Sequence, residues 1–329
     1  HIFFDPFDGA EHYDSEWIKE YVAGAYQDGG LKKDNLVRTM MLLNEFSDLN
    51  VKVGFKPGKE VGTVDVKVKV EDHQPLHFGL DYNNYGTPET GVNRIGLSMD
   101  AGNLISQGDS IALRGVLGFP ARGTNYFQLG YDTPINMDGT QLGFSYANGA
   151  FTVSQGLGAI LDIRGNANIY NLSLAHPLER SFDHSSNLAL GVAYKDVQND
   201  FFGGRVPFTR DRYTSARLTY QGDWRSFEGR TLLQSSWTQG LGGTGSGDPL
   251  VSRSGASGGF GKLNLEVARV QNLDTGLYGV LRGSAQIATQ PLYIAEQYAL
   301  GGPDTVRGFT HAELLGDDAY LLSAELRWS

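Results

Sequence analysis

The sequence predicts a transmembrane antiparallel β-barrel preceded by a small α+β domain, and three observations carry that expectation. From residue 76 onward, apolar and polar residues alternate with period two in about twelve successive segments. Most of these are close to the ~9–11 residues that a tilted strand needs to cross a bilayer. Residues 1–72 read differently, with two stretches of helical spacing ahead of two strand-like ones, which sets a boundary between a first domain and a barrel over 73–329. Composition agrees: 44 of 329 residues are glycine and 11% are aromatic, as in barrels with aromatic girdles.

In the first domain, Asp14 or Ser15 can cap a helix that places Ile18, Tyr21, Val22 and Ala25 on one face. Gln27-Asp28-Gly29-Gly30 breaks it, and Asp34 is expected to cap a second helix with Leu36, Met40 and Leu43 as its apolar stripe. Val51, Val53 and Phe55 then alternate with lysines and a glycine, and Val64, Val66, Val68 and Val70 alternate with Asp65, Lys67 and Lys69. The order helix, helix, strand, strand, with a further frayed strand at the start, makes a small α+β unit.

In the second part, Ile95, Leu97 and Met99 oppose Arg94, Gly96, Ser98 and Asp100, and Leu263, Leu265 and Val267 oppose Lys262, Asn264 and Glu266. The last segment sets Tyr320, Leu322, Ala324, Leu326 and Trp328 against Leu321, Ser323, Glu325 and Arg327. A soluble sandwich would cover the apolar face with a second sheet. A membrane barrel would turn that face to lipid and the other to a wet lumen. The polar faces mix small residues with charges of both signs, namely Arg94, Asp100, Lys262, Glu266, Arg282, Glu325 and Arg327. That mixture favours a hydrated lumen, with Tyr131, Tyr194, Tyr220, Trp237 and Trp328 suited to interfacial belts.

Several chemistries find no support. The absence of cysteine removes disulfides, thiolate metal sites and cysteine nucleophiles, and a net charge of −10 argues against a nucleic-acid partner. His73 and His77 straddle Pro75 rather than sharing a helix face, so no metal is expected. Gly242-Gly243-Thr244-Gly245-Ser246-Gly247 is followed by Asp248-Pro249 and no helical pattern, which reads as a loop and not a phosphate cradle. No nucleophile elbow or triad is recognisable, so neither an enzyme, a cofactor nor a small-molecule substrate is expected. The chain starts at His1 without a signal-like segment and stops at an apparent strand end, so it reads as an internal portion of a longer protein.

Three stretches resemble the TpsB transporters of two-partner secretion, the ShlB/FhaC-type haemolysin secretion/activation proteins, within the wider superfamily of POTRA-bearing outer-membrane barrels. Leu36 to Asn44, then Phe55-Lys56-Pro57-Gly58 and Gly62-Thr63-Val64-Asp65-Val66, resemble the second half of the POTRA domain next to the barrel. Asp81-Tyr82-Asn83-Asn84-Tyr85-Gly86, Gly102-Asn103-Leu104 and Gly108-Asp109 resemble the first barrel strands. Gly301-Gly302-Pro303-Asp304-Thr305-Val306-Arg307-Gly308-Phe309, with Tyr320 to Arg327, resembles the long sixth extracellular loop and the following strand. Alone, the Val-Arg-Gly-Phe motif is shared with barrel-assembly insertases and also reads as an ordinary turn with a solvated arginine.

The resemblance implies a barrel of sixteen strands, about twelve of them present here, with the sixth loop joining the eleventh to the twelfth. It implies that Arg307 pairs inside the lumen with a carboxylate on a strand beyond residue 329, where breaking a buried pair would cost ~3–5 kcal/mol. Gly301, Gly302 and Gly308 would permit the tight path, and Phe309 would pack on the lumen wall. The implied function is transport of a large secreted exoprotein across the outer membrane of a Gram-negative bacterium. The POTRA domain would lie in the periplasm, and lipid and lipopolysaccharide would surround the barrel. Val51, Val53, Phe55, Val64, Val66 and Val68 are candidates for the strands that an extended client joins. An outer-membrane assembly insertase and a passive porin are the alternatives.

Overall fold

The computed structural model describes residues 11–27, 30–59, 63–119, 123–226 and 228–328. Helix α1 (Ser15–Gly24) starts where expected, because the Asp14 side chain accepts from the Glu16 N–H at 2.9 Å. A short antiparallel pair, β1 (Tyr26–Gln27) with β2 (Gly30–Leu31), leads to α2 (Lys33–Leu43). The N-cap of α2 is Lys32 and not Asp34, which corrects the expected start. Asp34 sits in the first turn, where a negative charge still opposes the helix dipole. The expected strand at the very start and the Asp28-Gly29 part of the break lie outside the described residues.

Strands β3 (Leu49–Pro57) and β4 (Val64–Asp72) form an antiparallel hairpin with Val51 opposite Val70 and Val53 opposite Val68. Their valines meet Ile18, Tyr21 and Val22 of α1 and Leu43 of α2 in one core. Asn44 ties the end of α2 to β3 by accepting from Val51 N at 2.6 Å and donating to Val51 O at 3.2 Å.

The rest is one antiparallel meander. Strands β5 (Leu76–Asn83), β6 (Asn93–Gly102), β7 (Ser110–Phe119), β8 (Asn125–Pro134) and β9 (Gln141–Thr152) come first. After α3 (Gly156–Ile160) follow β10 (Arg164–Arg180), β11 (His184–Phe201), β12 (Val206–Ser226), β13 (Gly229–Gly243), β14 (Gly261–Asp274) and β15 (Leu277–Ala288). A 3₁₀ turn (Ile294–Glu296) and the short pair β16 (Tyr298–Leu300) and β17 (Leu314–Gly316) precede β18 (Ala319–Trp328). The twelve-stranded sheet runs from β5 to β15 in sequence order and then to β18, with β5 and β18 at its edges. The connection with Val306-Arg307-Gly308-Phe309 therefore joins the eleventh strand of the sheet to the twelfth, as the resemblance implied.

Directly opposite residues share a face of a sheet. Asp100 pairs with Ala112, and the same face continues through Gly130, Ser145, Asn171, Ala193 and Ser215. Arg217, two residues on from Ser215, opposes Thr238, which opposes Lys262. Glu266 opposes Ser284, Arg282 opposes Ala268, and Glu325 and Arg327 oppose Val280 and Tyr278. All seven charged candidates, Arg94 and Asp100 included, thus lie on one polar face. The other face keeps its large apolar side chains exposed, for example Leu80, Leu97 and Leu190 at 76%, 58% and 52%. No second sheet covers it among the described residues, so the sandwich reading fails.

The first domain sits at one end of the sheet, on alternate turns of the meander. Arg38 on α2 donates to the backbone oxygens of Pro177 at 2.8 Å and Asp138 at 3.1 Å. Arg180, at the end of β10, pairs with Glu45, and Asn103 reaches the backbone oxygen of His12.

Candidate functional site

The 289–318 connection folds back onto the polar face, and its path depends on glycine. Gly301 and Gly302 have φ of 112° and 99°. A Cβ on Gly301 would lie 2.2 Å from the Thr310 oxygen, so the backbone passes there only without a side chain. The β16–β17 pair closes the base of the excursion, with Tyr298 opposite Gly316.

Three charged contacts hold this connection: Arg307 with Glu325, the Glu296 cluster, and Asp317 with Arg253; the first two differ sharply in burial. Beyond the glycines, Arg307 Nη2 donates to Glu325 Oε1 at 2.6 Å. Arg327 donates to the other oxygen of Glu325 at 2.7 and 2.9 Å, so one carboxylate serves two guanidinium groups. The Arg307 side chain is 71% exposed. Within this chain Arg307 is paired with Glu325, because the connection doubles back onto the strand that follows it; the expected partner lies beyond residue 329 and so outside the described residues. Phe309 is also exposed rather than packed on the wall, and Val306 is half-buried.

Ahead of the glycines, Glu296 is 1% exposed. Its carboxylate is paired with the ammonium groups of Lys195 on β11 and, at 2.7 Å, Lys262 on β14. Tyr213 Oη on β12 donates to it at 2.7 Å. Lys262 and Gln286 also donate to the Glu296 backbone oxygen, at 2.9 and 3.2 Å. Burial alone would raise the Glu296 pKa, but the two ammonium groups outweigh it and hold the carboxyl at about 2. Next to this cluster, Tyr213, Phe260, Leu292 and Tyr293 pack together, with the Tyr213 and Tyr293 rings stacked at 4.5 Å. Lys262 was expected on the polar face, whereas Glu296 was not singled out. The cue was its place just upstream of Gly301-Gly302.

Between the connection and the wall lies a cleft of about 890 Å³. Glu266, Arg282 and Glu325 line it from the sheet, Asp304, Thr305 and Arg307 from the connection, and Met41 and Glu45 from the first domain. Arg327 reaches it only through Glu325, Lys262 belongs to the Glu296 cluster, and Arg94 and Asp100 lie on the distant β6.

The candidate client strands are placed differently from one another. Val51, Val66 and Val68 are buried at 3%, 2% and 2%, and Val53 packs against the same core. Their side chains therefore serve the first domain itself, while Phe55 and Val64 are exposed toward the far end of the hairpin. His77 pairs with Asp48 at 2.7 Å, and no cluster of three possible metal ligands occurs among the described residues.

A twelve-strand meander with one apolar face, one polar face and a Val-Arg-Gly-Phe connection folded onto the polar one now has a counterpart. The profile of the haemolysin secretion/activation protein family ShlB/FhaC/HecB matches residues 62–329. The chain belongs to that family. It is 22% identical over 302 residues to the outer membrane transporter CdiB of Dickeya dadantii (strain 3937), covering 88% of this chain and 52% of the relative. It is 21% identical over 301 residues to the heme/hemopexin transporter protein HuxB of Haemophilus influenzae (strain 86-028NP), covering 90% and 52%. The chain spans about half the length of these curated relatives. Among solved structures, CdiB from Escherichia coli superposes with a TM-score of 0.79 at 19% identity, over 100% of this chain and 62% of that one. BamA from Haemophilus ducreyi lacking POTRA domains 1-3 gives 0.57 at 13% identity, over 95% and 61%. This haemolysin secretion/activation family chain is therefore homologous to outer-membrane transporters and shares the CdiB and BamA-like fold.

Proposed function

We propose that this chain is part of an outer-membrane transporter that secretes a large partner exoprotein by two-partner secretion. Residues 1–72 act as the periplasmic POTRA domain next to the barrel, and residues 73–329 contribute to a barrel whose outer face meets lipid and lipopolysaccharide. The observation that carries this reading is the polar cleft shared by the first domain, the inner face of the sheet and the connection bearing Arg307. An extended client needs such a continuous hydrated path, with charges of both signs and no strong preference for one sequence. The client would first add a strand to an edge of the β3–β4 hairpin through main-chain hydrogen bonds. The exposed Phe55 and Val64 then supply an apolar foothold, and the buried valines hold the hairpin in place.

The deciding experiment is quantitative proteomics of culture medium and outer membrane with the full gene deleted and then restored. Loss of one large secreted protein, with the outer membrane unchanged, supports the transporter and names its client. Broad depletion of barrel proteins would instead favour an insertase, the second reading that the likeness to BamA keeps open. Neither loss, together with a large stable conductance, would leave a passive porin.

A further inference from the structure

The 289–318 connection is ion-paired at Glu296, at Arg307 and, near its end, at Asp317; Gly301-Gly302 divides the first two, which differ chemically. On one side, Glu296 engages three strands, β11, β12 and β14, through Lys195, Tyr213 and Lys262. On the other, Arg307 engages a single residue, Glu325, from a position open to water. A carboxylate buried between two ammonium groups resists separation, because parting them strands desolvated charge. An exposed ion pair exchanges its partner for water at little cost.

We propose that Glu296 is the positioning residue that fixes the root of this connection (residues 289–300) to the inner face. Arg307 holds only the exposed turn around Gly308, so the root does not depend on it, while Asp317 at the end of the connection is joined to the root through Leu292 and Gln297 and to the wall through Arg253. The anchoring stands on the geometry of this chain alone; its consequence for client passage rests on the transporter reading. In that setting the root stays seated on the wall whether or not the arm is engaged with Glu325.

The test uses the full-length protein in phospholipid vesicles with pairs of spin labels on introduced cysteines, since these residues contribute none of their own. One pair links Ala268 on β14 to Ile294 in the root, and the other links Ala268 to His311 in the arm. Glu296→Gln should abolish the single root distance, and Arg307→Ala should abolish the arm distance while leaving the root unchanged. Glu296→Asp keeps a carboxylate at the centre of the two ammonium groups and should retain the root distance. If Glu296→Gln fails to fold, Lys195→Met and the Arg307→Ala comparison still decide. A root distance lost in Arg307→Ala, or kept in folded Glu296→Gln or Lys195→Met, overturns the proposal. Secretion is scored separately, so a firm root in a protein that secretes nothing would sink the transport reading and leave the anchor standing.

Discussion

The first domain and the sheet use similar apolar side chains in opposite directions. In the domain, Ile18, Val22 and Leu43 are wholly buried against the β3–β4 hairpin. In the sheet, Leu80, Leu97 and Leu190 lie on the apolar face and stay largely exposed among the described residues. Such exposed apolar area is costly in water and favourable in lipid, so one chain is built for two solvents. The difference also explains why the domain needs helices. A two-stranded hairpin has one apolar face to cover, whereas the meander leaves that covering to the bilayer.

The contrast is broken most strongly by truncation in the domain core. Ile18→Ala should cost about 2–5 kcal/mol, since Ile18 is fully buried and its removal leaves a cavity. Hydrogen exchange of the full-length protein should show faster exchange across residues 15–72 and unchanged protection in β10 to β12. A matching loss in the sheet would mean that the two regions unfold together. Next in size is Leu190→Arg, which should cost about 2–4 kcal/mol near the bilayer midplane. Its check is the folded fraction on refolding into phospholipid vesicles. An unchanged fraction would mean that this face does not meet lipid.

How much of this was legible in the sequence follows from the same contrast. Alternation at Ile95, Leu97 and Met99 marks a strand with two unlike faces, and it registers because lipid and water differ so strongly. The spacing of Ile18, Tyr21 and Val22 gave α1 in the same way. Asp34 was misplaced by two positions because an acidic residue suits both the cap and the first turn. The partners of Glu296 were illegible: Lys195, Tyr213 and Lys262 come from three strands, and no local period links them to a 3₁₀ turn. Glu325 was visible as a polar-face carboxylate, yet its pairing with Arg307 depends on a loop path that sequence periodicity does not encode.

A smaller effect sharpens the boundary of the domain. Asp72, the last residue of β4, accepts from the backbone N–H groups of Glu11, His12 and Tyr13 at 3.0, 2.7 and 3.1 Å. Burial by itself would raise its pKa, but these donors and the nearby His12 outweigh that and hold it below the ordinary carboxylate value. A depressed native pKa means that the unfolded state binds the proton more readily. The stabilisation is therefore complete above the unfolded carboxylate pKa of about 4 and is lost as pH falls through the lower native value. Asp72→Asn should cost about 1–3 kcal/mol at neutral pH and flatten this acid dependence, read from exchange protection of residues 11–13. Equal acid sensitivity in the variant would place the titrating group elsewhere.

The smallest effect on stability is expected where the effect on function is largest. The resemblance implied a buried pair with a strand beyond residue 329; within this chain the Arg307 side chain is 71% exposed and shares Glu325 with Arg327. Arg307→Ala should therefore cost only about 0–1 kcal/mol, because water replaces the lost partner and Arg327 still neutralises Glu325. Assembled barrel should remain at near wild-type levels in the outer membrane while secretion of the client falls sharply. Glu325→Gln frees both arginines at once and should weaken secretion without unseating the Glu296 root. Normal secretion by Arg307→Ala would remove the arm from the mechanism. Loss of assembled barrel would instead show that an apparently exposed pair is structural, and the division between a buried root and an open arm would fall with it.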